Sequence, residues 1–188
     1  MMKKAALICL TAFFLSCIQS QDTVSPTAML IAGVNVVDVR NGTIIEDRDI
    51  VIDSGLIKSI TSRLDQPELY SQKIDGKGYY ILPGLAEMHA HIPSPPTSST
   101  RIEETLFLYL SNGITTIRGM LGHPSHLDLR QKALSGELLS PRIFTSSPSL
   151  NGNTIRTPEE AQEKVTAYAL AGYDFLKIHP GIQLEVFD

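Results

Sequence analysis

The chain has 188 residues, 43% hydrophobic and 19% charged, with a net charge of −4, which excludes a disordered polyelectrolyte and leaves a globular protein. Its basic residues form no cluster and tryptophan is absent, so nothing supports phosphate neutralisation or base stacking, and a nucleic-acid or anionic-membrane surface is excluded.

Lys3 and Lys4 precede an apolar run over residues 5–15. This is the layout of an export signal, predicted over residues 1–20, and the run falls short of the roughly 20 residues that span a bilayer as a helix. Phe14-Leu15-Ser16-Cys17 resembles a bacterial lipoprotein box, which predicts that Cys17 is lipidated and becomes the first mature residue. The chain is then a lipoprotein of the bacterial periplasm or outer membrane, touching membrane only through its lipid. Leu and Ala or Gly are more usual before such a cysteine. Cleavage a few residues later, giving a soluble secreted protein, is the alternative. The only other cysteine is Cys9, so the mature chain keeps at most one and no internal disulfide supports it.

Residues 21–27 are polar, contain Ser25-Pro26 and read as a tether. Residues 30–39 are rich in Val and Ile and predict a strand. Asn41-Gly42 predicts a turn, followed by a short strand at 43–45 and another at 49–52. Asp53-Ser54-Gly55 turns the chain into a strand over 56–60. Residues 73–75 and 79–82 flank a turn at Gly76-Lys77-Gly78. These short strands predict a small β-rich layer over residues 28–82, and a self-contained β-domain fits the same pattern.

Residues 81–93 read ILPGLAEMHAHIP. Pro83-Gly84 breaks the preceding pattern and the following residues alternate. Leu85, Glu87, His89 and His91 fall on one side of a strand, and Ala86, Met88, Ala90 and Ile92 on the other. Two imidazoles projecting together at the end of a strand stopped by Pro93 suit one divalent ion.

After Pro93 the rhythm becomes strand alternating with helix. A Pro/Ser/Thr loop over 94–100 leads to a helix over 101–111, with Glu103 and Glu104 expected in its first turn and Asn112-Gly113 as its stop. A strand at 114–117, a helix from 125 or 126 to 134 and a strand at 142–145 follow. Residues 148–153 are expected to be a loop. Thr157-Pro158-Glu159-Glu160 opens a helix as a capping box, Gly172 ends it, and residues 175–178 form a fourth strand. Connections this short imply parallel strands with helices outside. In the fourth strand Leu176 and Ile178 face one way and Lys177 the other. A lysine in an apolar strand either reaches solvent with its amine or, buried, favours the neutral form. His179 shares the Lys177 side; it and Arg118, at the end of the second strand, are candidates to touch substrate. His123 and His126 are expected to be surface residues. Ser146, Ser147 and Ser149 lack a G-x-S-x-G context, and no phosphate-binding glycine loop is present.

Pro83, Gly84, Leu85, His89 and His91 match the PGL-x-D-x-H-x-H signature of the amidohydrolase superfamily, which the chain resembles from about Ala28 to its end. Glu87 stands where most relatives have Asp, keeping the carboxylate on a longer arm. The resemblance implies an α/β fold: part of a small β-sandwich, then the first half, about four β/α units, of a (β/α)8 TIM-type barrel over residues 83–188. Such a barrel needs about 250 residues, so the expectation is an N-terminal fragment. The resemblance further implies a metal-dependent hydrolase of carbon–nitrogen bonds in small-molecule or dipeptide-like substrates, binding one or two divalent ions of the zinc type. His89 and His91 would be metal ligands. Leu176-Lys177-Ile178 looks like the strand-four lysine that many members carbamylate to bridge two ions. Two further histidines, from strands five and six, and an Asp base from strand eight would complete the site. The nearest groups are the imidazolonepropionase-like and Xaa-Pro-dipeptidase-like hydrolases. A non-catalytic exported binding or scaffold lipoprotein is the alternative. A partial barrel would leave strand edges and apolar surface open, which predicts self-association and no hydrolysis by this chain alone.

Overall fold

The structure, a computed structural model, describes residues 24–187. The predicted signal, Cys17 and residues 21–23 of the tether lie outside the described residues. The chain divides into two compact units, one ending at Leu82 and one beginning at Pro83.

In the first unit, β1 (Met29–Asp38), β2 (Thr43–Asp53) and β3 (Leu56–Thr61) form an antiparallel meander. The strands β4 (Gln72–Asp75) and β5 (Tyr80–Ile81) pair with β1 in parallel, β4 along its first half and β5 further on. The turn after β1 is held by the Asp38 carboxylate, which accepts the Arg40 and Asn41 backbone N–H groups and, at 2.7 Å, the Asn41 side-chain amide. The two strands expected at 43–45 and 49–52 are one strand. The register slips in β1 between Ile31 and Val34 and back in β2 between Arg48 and Ile45. Each extra residue is taken up by a left-handed conformation, at Gly33 (φ +68°) and at Asp47 (φ +50°), as in paired β-bulges. Asp49 anchors this irregularity. It is 4% exposed, and its two oxygens accept the Gly33 and Leu64 N–H groups, each at 2.9 Å. A buried carboxylate is tolerable here because both oxygens are bonded.

The second unit alternates strictly: β6 (Leu85–Ala90), α1 (Ser99–Ser111), β7 (Ile114–Gly119), α2 (Pro124–Ser135), β8 (Arg142–Leu150), α3 (Pro158–Ala171), β9 (Phe175–Ile178) and α4 (Leu184–Phe187). The four strands are parallel and lie in sequence order, β6-β7-β8-β9. This is the half-barrel arrangement of successive β/α units. Among the described residues β6 and β9 each pair along one side only.

Caps set the helix limits. Ser98 accepts the Arg101 N–H, so α1 starts earlier than expected and Glu103 and Glu104 lie beyond its first turn. Thr157 accepts the Glu160 N–H, while the Glu160 carboxylate reaches back past the cap to the Arg156 N–H at 2.7 Å. Ala90, Ile92, Ile102, Leu106, Ile117 and Ile143 form the core between the sheet and its first two helices. Leu106, Ile117 and Ile143 are almost fully buried, and each stabilises the unit by about 1.5–3 kcal/mol. Leu150, Ile155 and Val186, joined by Ala161, Tyr168 and Leu176, form a second cluster around α3.

The expected loop over 148–153 begins later than the sequence suggests, because β8 runs on to Leu150. Ser146 and Ser147 continue the strand beyond its expected end at Thr145, and both are buried against β9. The chain passes close by at Gly122, where a Cβ would sit 1.7 Å from the Ser146 carbonyl oxygen; no side chain fits there.

Candidate active site

Ala90 and Ile92 pack into the helix-facing core. The alternation of the chain therefore sends His89 and His91 to the opposite face, where both are exposed. The strand stops at Ala90, so His91 lies one residue past its end, before Pro93. The two rings are stacked, with centroids 5.4 Å apart and planes 24° from parallel. An ion about 2.1 Å from one nitrogen of each ring lies about 3 Å from each ring centre, so two ligating rings have centroids within about 6.5 Å of each other. The observed spacing lies within that bound, so the distance between the rings suits a shared ion, while sharing one also requires both ring planes to contain it. The Glu87 carboxylate folds back to accept the His89 N–H at 2.8 Å, where the β6–β7 register is irregular. Its longer arm braces the main chain of a candidate ligand.

On β9, Leu176 packs against the α3 cluster, which turns the half-buried Lys177 to the face away from the helix. The Lys177 backbone N–H donates to Ser147 Oγ at 3.1 Å. On β7, Ile117 belongs to the helix-side core, so Arg118 projects from the same open face, its guanidinium 4.9 Å over the Phe175 ring. His89, His91, Arg118 and Lys177 thus share the sheet face that the helices leave uncovered. His179 follows β9; its N–H is tied to the Leu150 carbonyl at 2.8 Å and its side chain is exposed. Among the described residues no group of three or more His, Cys, Asp or Glu side chains could hold a metal ion, so the two imidazoles are an incomplete ligand set.

The other histidines differ from expectation. His123 caps α2, accepting the Ser125 N–H at Nδ1 and pairing with the Ser125 hydroxyl at 2.8 Å. His126 is buried, 1% exposed, rather than on the surface. Helical spacing places it on the stripe of Leu129 and Ala133, which pack on the core, and that signal was available in the sequence. Neither ring nitrogen meets hydrogen-bond geometry. Burial pushes its pKa down; the nearby Pro93 backbone opposes the shift and His123 adds to it.

Two residues that the sequence did not single out organise the site's support. Asp174 accepts the Thr145 N–H and the Arg130 guanidinium, both at 2.8 Å, tying α2 and β8 to the start of β9. Ser147 holds the main chain of Lys177 and donates its hydroxyl hydrogen to the Pro148 carbonyl at 2.8 Å.

No family model matches the chain. Dihydroorotase from Trichlorobacter lovleyi is 37% identical over 67 residues, which are 36% of this chain and 15% of that enzyme. Adenine deaminase from Lactiplantibacillus plantarum is 32% identical over 89 residues, 47% of this chain and 15% of the deaminase. Among solved structures, a protein of Bifidobacterium longum assigned as a prolidase superposes with a TM-score of 0.69 at 29% identity, covering 80% of this chain and 40% of the other. A prolidase complexed with N-methylphosphonate-L-proline gives a TM-score of 0.72 at 24% identity, over 81% of this chain and 46% of that one, a likeness of fold. The chain spans less than half the length of these relatives. The β-layer followed by a parallel half-barrel, the histidine pair on its first strand and these likenesses agree in making the chain similar to an N-terminal part of amidohydrolase-superfamily proteins.

Proposed function

We propose that this chain carries the first half of the site of an exported metal-dependent hydrolase that cleaves a carbon–nitrogen bond in a small amide or dipeptide-like substrate. The observation that carries the reading is the pair His89 and His91, side by side on the open face of the sheet with ring centres 5.4 Å apart. One or two divalent ions, zinc by the chemistry of the donors, would when bound lower the pKa of a water and polarise the substrate carbonyl.

The chain's own residues then have distinct tasks. His89 and His91 offer imidazole nitrogens, and Glu87 keeps the His89 main chain in place. Lys177 presents its amine on the same face. Its nitrogen bonds the carbon of carbon dioxide and its proton leaves to solvent, and the resulting carbamate is an anionic oxygen ligand suited to bridging two ions. Arg118, stacked on Phe175, meets the substrate carboxylate with a planar fork of donors. His179, one residue past β9, contacts the substrate from the strand end. Cys17 carries the lipid that holds the protein at the bacterial envelope.

The test is zinc uptake by the 188-residue chain, measured by equilibrium dialysis with elemental analysis. Binding is expected to be weak, because among the described residues the site offers two imidazoles and no third ligand of the His, Cys, Asp or Glu type, and to disappear in the His89→Ala, His91→Ala double variant. Equal uptake by that variant refutes the site.

A further inference from the structure

Lys177 is placed by an irregularity in the sheet. Between their shared pairs, Ser146 with Phe175 and Ser149 with Lys177, β8 advances three residues while β9 advances two. The N–H directions record the same slip. Alternate N–H groups of a strand point to the same neighbour. Asp174 donates to the Thr145 carbonyl, and Lys177 and His179 also donate to β8. The step from Lys177 to His179 is even, but that from Asp174 to Lys177 is odd. At the slip the Lys177 N–H donates to the side chain of Ser147, at 3.1 Å. The same hydroxyl donates onward to the Pro148 carbonyl, and Pro148, lacking an N–H, has no ladder donor of its own. Ser147 is wholly buried, so water is no substitute acceptor.

The geometry points to Ser147 as a positioning residue that pins the β8–β9 register and so keeps Lys177 on the open face of the sheet. Bulges re-aim side chains beside functional sites, and a slip of one residue exchanges the two faces of a strand. Without the pin, Lys177 exchanges places with its apolar neighbours and turns toward the cluster of Leu150, Ile155, Ala161 and Tyr168. An amine there is costly. The pin keeps the amine where carbon dioxide and an ion reach it. That consequence rests on the metal reading above; the register claim does not.

The experiment compares the 188-residue chain with Ser147→Ala and Ser147→Thr, the latter keeping the hydroxyl. Two quantities are read: the exchange rate of the Lys177 amide hydrogen, and acetylation of the Lys177 amine by acetic anhydride relative to Lys132 on α2. In Ser147→Ala the amide is expected to exchange about three- to tenfold faster, as for loss of one hydrogen bond, and Lys177 acetylation to fall. Ser147→Thr is expected to restore both. Wild-type exchange and acetylation in Ser147→Ala overturn the inference. If Ser147→Ala loosens the whole unit, so that the Ile117 amide also exchanges faster, Ser147→Thr decides: wild-type behaviour supports the pin, and behaviour like the alanine variant overturns it. Neither readout involves metal, so failure of zinc uptake counts against the proposed function and leaves this result standing.

Discussion

Replacing Asp174 with alanine is expected to destabilise the second unit more than any surface substitution. The carboxylate accepts two donors at 2.8 Å, the Arg130 guanidinium and the Thr145 N–H. The Arg130 and Asp174 side chains are 16% and 27% exposed, and Thr145 is fully buried. Removing the acid therefore strands a largely buried cation and a buried backbone donor. Breaking a buried ion pair costs about 3–5 kcal/mol, and partial exposure of both partners lowers this to about 2–4 kcal/mol. With a urea dependence of about 1–3 kcal/mol per molar, the midpoint should fall by about 1–2 M. Tyr173 adjoins the site and packs edge-on against Tyr168, so tyrosine fluorescence reports the transition. Asp174→Asn keeps an acceptor for the Thr145 N–H and should lose less. Arg130→Ala should cost much less in the Asp174→Ala background than in the wild type, as in any coupled pair. A midpoint within 0.3 M, about the scatter of such a measurement, of the wild type for Asp174→Ala, or full additivity with Arg130→Ala, would refute the reasoning.

His126 should make the second unit acid-sensitive. Its folded pKa lies below the ordinary 6.5 because burial disfavours the cation, so below that pH the unfolded chain binds a proton that the folded chain does not, and stability falls as pH drops from about 6.5 toward the lower folded value. His126→Leu should flatten this dependence in urea titrations at pH 7 and pH 5.5; an unchanged slope removes His126 as the cause. Residues 21–188 expressed alone should self-associate, because β6 and β9 each have an unpaired side among the described residues and Phe144 and Ile178 are exposed. A monomer by light scattering at micromolar concentration would argue against this. The same preparation should show no metal-dependent amide hydrolysis, and zinc-dependent turnover would show that its ligand set is sufficient.

Much of this protein follows from short-range chemistry. The turn at Asn41-Gly42, the cap at Thr157, the stop at Gly172 and the strand at Phe175–Ile178 all lie where the sequence places them, because each depends on a few adjacent residues. The open face carrying His89, His91 and Lys177 was legible for the same reason: alternation in a strand opposes them to Ala90, Ile92 and Leu176. The departures involve partners distant in sequence. The paired bulges at Gly33 and Asp47 join two expected strands into one, and they depend on Asp49 reaching Gly33 and Leu64. The sequence ends β8 at Thr145; its continuation to Leu150 depends on β9 lying beside it. Asp174 and Arg130 are 44 residues apart and look like ordinary surface charges until folding brings them to 2.8 Å. Local pattern determines which side a residue faces. Which polar atom satisfies which buried donor, and hence where Lys177 is held, depends on chain brought together from afar, and only the tertiary structure decides it.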